Sequence, residues 1–144
     1  MRGKYFCGIC KIHACTKGLK EKMPKGCPSM EISEEEIKEL YKEEDLFLAR
    51  QAALVESGGY CQKTRVEEIM DFARKCGFKN LGVAFCTGFK KEMAILYKIL
   101  TANGFTVNSV ICKNCSIPKE FLNLNEEEKV RPGTFDAMCN PIGQ

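Results

Sequence analysis

Cys7, Cys10, Cys15 and Cys27 stand with two, four and eleven residues between them in "CGICKIHACTKG" and the following "GCPS", and thiols spaced in this way bind metal. A C-x2-C pair lets two sulfurs reach one metal from a tight turn, and two further thiolates complete a four-sulfur shell. Zinc at tetrahedral sulfur and a [4Fe–4S] cluster both suit that shell. Iron–sulfur is the expectation, because the paired knuckles of zinc ribbons are missing and Cys27 precedes Pro28, as in bacterial ferredoxin runs. His13, the chain's single histidine, offers a compact alternative in which Cys7, Cys10, His13 and Cys15 hold zinc. Since four cysteines suffice, His13 is read as a solvent-exposed side chain.

A second constellation comes from Cys86, Cys112 and Cys139. Cys86 ends one apolar run, "NLGVAFC", and Cys112 ends another, "FTVNSVIC". In a parallel sheet both would emerge at the carboxyl edge, where open α/β folds bind ligands. Cys115 makes a second C-x2-C pair with Cys112, and Cys139 returns toward the same edge, so a second metal site is expected there. The plain alternative is that cysteine packs as a small apolar residue, which is the reading for Cys61 and Cys76. Cys86 also precedes a helix start, whose amides would favour thiolate. A phosphatase-type loop would need arginine where Glu92 stands, and the one histidine lies far along the chain, so a Cys–His catalytic pair is not expected. "FCTGFK" lacks both the three-glycine dinucleotide fingerprint and the GKS/GKT phosphate loop.

The elements that position these thiols follow from periodicity. Residues 1–30 lack apolar periodicity and are rich in Cys, Gly, Lys and Pro, so something other than hydrophobic burial must order them. Ser33 with Glu36 reads as a capping box opening one long helix, whose stripe of Ile37, Leu40, Tyr41, Phe47, Leu48, Leu54 and Val55 ends at Gly58-Gly59. Glu44 and Gln51 are read as solvated at its edge. Thr64 with Glu67 opens a second helix, with Val66, Ile69, Met70, Ala73 and Cys76 on one face and Gly77 as its stop. A strand at "NLGVAFCTG", a helix over 89–102 and a strand at "FTVNSVIC" then form a parallel βαβ unit. Residues 113–134 read as a long loop with at most one helical turn. Asn140-Pro141 is the start of a helix, and four residues later the chain ends, the pattern of a longer protein cut short. The expected architecture is a small layered Rossmann-like α/β domain over 31–144, truncated at its C-terminus, preceded by a Cys-rich metal-binding arm over 1–30.

Composition bounds the rest. Apolar residues make up 44% and charged residues 28%, which is ordinary for a folded domain. The net charge of +3 comes from 22 basic and 19 acidic residues spread along the chain, without the basic block or aromatic platform of a nucleic-acid binder. No apolar run approaches the roughly 20 residues of a membrane span, and "MRGKYFCGIC" lacks the apolar stretch of a secretory signal. The expectation is a cytoplasmic protein with no membrane or nucleic-acid partner. Ten cysteines in a reducing compartment point to metal or redox chemistry rather than disulfides, and hence to a redox partner protein. The rival readings are a zinc-stapled α/β binding module and an enzyme that uses the strand-end cysteines Cys86 and Cys112, either on a second metal or as thiolates.

The segments "CGICKIHACTKG", "TRVEEIMDFARKCGFKNLGVAFCTGFKKEM", "LTANGFTVNSVICK" and "PGTFDAMCNPIGQ" resemble, in order and spacing, the cysteine-rich family catalogued as domain of unknown function 1847. Its members are described as predicted metal-binding proteins, largely from anaerobic bacteria and archaea. The resemblance implies ligand roles for Cys7, Cys10, Cys15 and Cys27, and for Cys86, Cys112 and Cys139. It implies glycine at the position of Cys115. It also implies a continuation beyond "MCNP" through a further helix and strands with another cysteine and histidine. A site needing those ligands would be incomplete here or finished by another subunit, and the open sheet edge would invite homo-oligomers.

Overall fold

Between Cys7 and Met30 the backbone follows its composition: short 3-10 turns at Cys7–Ile9, Ala14–Lys17, Lys20–Lys22 and Pro28–Met30 succeed one another with no strand or α-helix. The computed structural model describes residues 7–144, so the first six residues of the expected arm lie outside it. Ala14 is the one buried residue in the described arm. The chain divides into two compact units, Met1–Leu54 and Val55–Gln144.

In the first unit Ser33 does open a helix. Its Oγ accepts the Glu36 amide at 3.1 Å, and the Glu36 carboxylate accepts the Ser33 amide at 2.7 Å. The expected single helix is two, α1 (Glu34–Leu40) and α2 (Glu43–Gly59), the latter's last turn belonging to the second unit. Tyr41 is extended, and Asp45 receives the Lys42 amide at 3.3 Å as a fresh start. An unbroken helix would stack Glu35, Glu39 and Glu43 four residues apart, where like charges repel. Most of the predicted stripe is correspondingly exposed, Leu40 at 66% and Phe47 at 46%. Gln51 is the reverse correction: it is buried, because it lies three residues from half-buried Leu48 on the same face of α2.

The second unit carries the α/β fold. Thr64 and Glu67 form the expected capping box at the head of α3 (Arg65–Lys75). Gly77, at φ +74°, takes the left-handed turn that ends it. Strand β1 (Asn80–Phe85), helix α4 (Lys90–Ala102) and strand β2 (Thr106–Ile111) follow. The strands pair in parallel from Asn80↔Thr106 to Phe85↔Ile111, and among the described residues they are the whole sheet. Met70 and Ala73 of α3, Leu100 of α4 and Phe105 form the core, with Leu81, Val83 and Val107 of the strands packed against it. Arg74 lies 5.4 Å over the Phe105 ring.

The long loop after β2 holds three short 3-10 turns, at Asn114–Ser116, Lys119–Leu122 and Glu126–Glu128, rather than one. Polar contacts organise it. The Lys129 ammonium, its side chain 2% exposed, pairs with Glu120 and Glu126, and Glu126 also accepts the Gly133 amide at 2.7 Å. An antiparallel bridge joins Pro118 to Ala137. No helix among the described residues is long and apolar enough to cross a membrane.

Candidate functional site

The arm's turns bring three of its four cysteines to one place. The C-x2-C turn closes with the Cys10 amide donating to the Cys7 carbonyl at 3.2 Å. Cys27 is extended ahead of Pro28, and its carbonyl accepts the Met30 amide at 3.0 Å. Cys7, Cys10 and Cys27 line one cavity of ≈ 280 Å³, with Ile9, Ile12, Lys11 and Lys25 also on its wall. Cys15 sits instead in a neighbouring groove, and Pro28 lines both.

Cys10 has the most developed environment of the four. The backbone amides of His13 and then Ile12 donate to its sulfur and hold its thiol below the usual value, because a hydrogen bond to the charged form favours that form. His13 contributes through its main chain: it adopts φ +49°, its carbonyl accepts the Thr16 hydroxyl at 2.8 Å, and the residue is exposed. Thiols and amide donors to sulfur are the chemistry a metal–thiolate group uses, so the donor set fits such a group. Among the described residues, however, no three Cys, His, Asp or Glu side chains are drawn together into a shell that could hold an ion.

The second constellation follows the parallel pairing: Cys86 and Cys112 succeed the last residues of β1 and β2. Cys112 is buried. Its amide donates to Phe85 at 2.8 Å, and its sulfur accepts the Thr87 amide at 3.3 Å. The "MCNP" segment comes back to this edge, for the Asn140 amide donates to the Cys112 carbonyl at 2.6 Å. Buried Asn140 caps the final turn through the Gly143 amide at 2.9 Å and donates to Asn114 at 2.9 Å. The Gln144 side chain reaches the carbonyls of Phe85 and Val110.

Two residues at this edge had no signal in periodicity. The Lys113 ammonium bonds Asp136 at 2.9 Å and the Ala137 carbonyl at 2.6 Å. Asp136 raises its pKa most, and the nearby Cys139 and Cys112 add to that shift. Asp136 is in turn lowered to about 2 by Lys119 and Lys113. Adjacency of Lys113 to Cys112 in "ICK" was the one available hint. Cys86, Cys115 and Cys139 are exposed. Cys115 lies at φ +64°, a conformation that favours glycine, and Cys61, expected to pack as a small apolar residue, is instead exposed in a turn at φ +56°. Cys76 is half-buried at the C-terminal cap of α3.

The chain matches the family described as "Protein of unknown function (DUF1847)" over residues 27–144. That span begins at Cys27, with Cys7, Cys10 and Cys15 ahead of it. Uncharacterized protein MJ0455 of Methanocaldococcus jannaschii is 40% identical over 138 residues, which cover 96% of this chain and 66% of that relative. The chain thus spans just under two thirds of that relative's length, and the alignment reaches into the arm. No solved structure matches the chain.

Proposed function

The chain belongs to the DUF1847 family, and from the thiols it gathers we propose that it is a redox protein carrying a [4Fe–4S] cluster on Cys7, Cys10, Cys15 and Cys27. The observation that carries the reading is the shared cavity of Cys7, Cys10 and Cys27, in a segment with a single buried residue among those described to order it. Such a group would supply one-electron transfer, at a potential set by burial and by hydrogen bonds to sulfur. The chain's own part is to hold the sulfurs. The Ile12 and His13 amides fix Cys10, the C-x2-C turn fixes Cys7 against it, and Ile9 and Ile12 give the cavity an apolar wall. The compartment we assign is the cytoplasm, and the βαβ pair serves as the nucleus of a Rossmann-like sheet.

A second ligand set at the strand ends, from Cys86, Cys112 and Cys139, is favoured by the Thr87 amide on the Cys112 sulfur. Iron, zinc and acid-labile sulfide analysis of protein purified without oxygen tests both sites. Iron with equimolar sulfide, lost in Cys10→Ser and Cys27→Ser and kept in Cys61→Ser, is expected of the arm. Loss of part of the metal in Cys112→Ser is expected of the strand ends. Stoichiometric zinc without sulfide would make the arm a structural staple and overturn the redox reading.

A further inference from the structure

The arm's charge distribution points beyond the cluster itself. Residues 7–30 contain Lys11, Lys17, Lys20, Lys22 and Lys25 against the single acid Glu21, and all five lysines are exposed. Lys11 and Lys25 lie on the wall of the cysteine cavity itself. Exposed apolar side chains share that wall: Ile9 is 76% exposed and Ile12 50%. An exposed apolar centre rimmed by charge of one sign is the anatomy of a transient protein interface.

We propose that this face docks a small acidic electron-carrier protein, with Ile9 and Ile12 at the centre of the contact and Lys11 and Lys25 steering it. The proposal rests on the iron–sulfur reading for its purpose, since docking here would bring a partner's redox group to the cysteine cavity. The binding itself needs only the surface. Like charge on one face and opposite charge on the partner raises encounter rates and sets orientation, and redox complexes use small, salt-sensitive contacts of this sort. A nucleic acid fits less well. The same unit carries Glu34, Glu35 and Glu36 in the first turn of α1 and Glu43, Glu44 and Asp45 in the first turn of α2, which would repel a phosphate backbone extending past the arm. The arm also offers no aromatic side chain among its described residues for bases to stack on.

The test is a binding isotherm between the whole protein, as purified without oxygen, and an oxidised plant-type ferredoxin as the acidic probe. Basic cytochrome c and a single-stranded oligonucleotide serve as comparisons. At about 0.01 M salt, where the screening length is roughly 30 Å, the ferredoxin is expected to bind, and at about 0.5 M salt at least roughly tenfold more weakly. Lys11→Glu with Lys25→Glu should weaken binding at low salt by about tenfold or more. The milder Lys11→Gln with Lys25→Gln should give a smaller loss in the same direction, whereas Lys98→Glu on α4 should give none. Equal binding of cytochrome c, tighter binding of the oligonucleotide, or indifference to both double variants would overturn the docking face. Metal analysis of the same samples separates the two claims. Iron-free protein that still binds the ferredoxin with this salt dependence keeps the face and loses the cluster; iron-loaded protein that does not bind keeps the cluster and loses the face.

Discussion

Leu100→Ala is the perturbation that most directly tests the α/β unit on which the strand-end thiols depend. Leu100 is 2% exposed and packs with Met70, Ala73 and Phe105, so truncation to Ala removes three buried carbons from the contact of α4 with α3 and with Phe105, the residue ahead of β2. The lost transfer energy and the cavity left behind together cost about 3 kcal/mol, within the roughly 2–5 kcal/mol typical of buried leucines. For a unit of this size each kcal/mol lowers Tm by about 4–8 °C, so a fall of about 12–24 °C is expected. Its neighbour Ile99 is the internal control, because it is 38% exposed on the same helix and Ile99→Ala should cost about 1 kcal/mol. Urea unfolding followed by far-UV circular dichroism gives both values. Near-equal costs for the two variants, or a Leu100→Ala cost under about 1 kcal/mol, would refute this placement of the core.

Two further predictions concern the loop that returns to the strand ends. Asp136 is depressed to about 2 by Lys119 and Lys113, so its contribution to stability is fully present above the unfolded carboxylate value and is lost as pH falls through about 2. Amide hydrogen exchange at Lys119, whose N–H donates to the Asp136 carbonyl at 3.0 Å, should accelerate over that window. In Asp136→Asn the exchange should already be fast at neutral pH, and identical profiles would remove the ion pairs from the account. Lys129→Met leaves Glu120 and Glu126 without the ammonium between them. Cleavage by a glutamate-specific protease within residues 119–134 should then rise several-fold, while Lys129→Arg stays near the parent; no change in Lys129→Met would show that the loop is held otherwise.

What could be read from the sequence was local. Both capping boxes, the Gly77 stop, the parallel βαβ unit and the arrival of Cys86 and Cys112 at one edge are set by side chains a few residues apart and by the rule that parallel strands share an end. Asn140 was legible as a cap for the same reason, although a single turn rather than the expected helix follows it among the described residues. The break at Tyr41 was hidden because apolar periodicity runs on across it, and the accumulated acids that disfavour a continuous helix count for little in a stripe. Gln51 was misplaced because its polarity was weighed above its position beside Leu48. Lys113, Asp136 and Lys129 act across 23, 17 and 9 residues of separation, and no period in the chain announces such pairs. In the arm, spacing indicated four thiols of one kind, yet the fold puts Cys15 in a different groove from the other three.

Whether the arm's thiols hold the proposed redox cluster is decided by a reductive titration of oxygen-free protein, followed by its visible spectrum and electron paramagnetic resonance. A broad sulfur-to-iron band near roughly 400 nm is expected, bleaching as each chain's cluster takes up one electron and absent in Cys10→Ser and Cys27→Ser. A colourless protein that takes up no electrons and carries zinc on the same cysteines would contradict it.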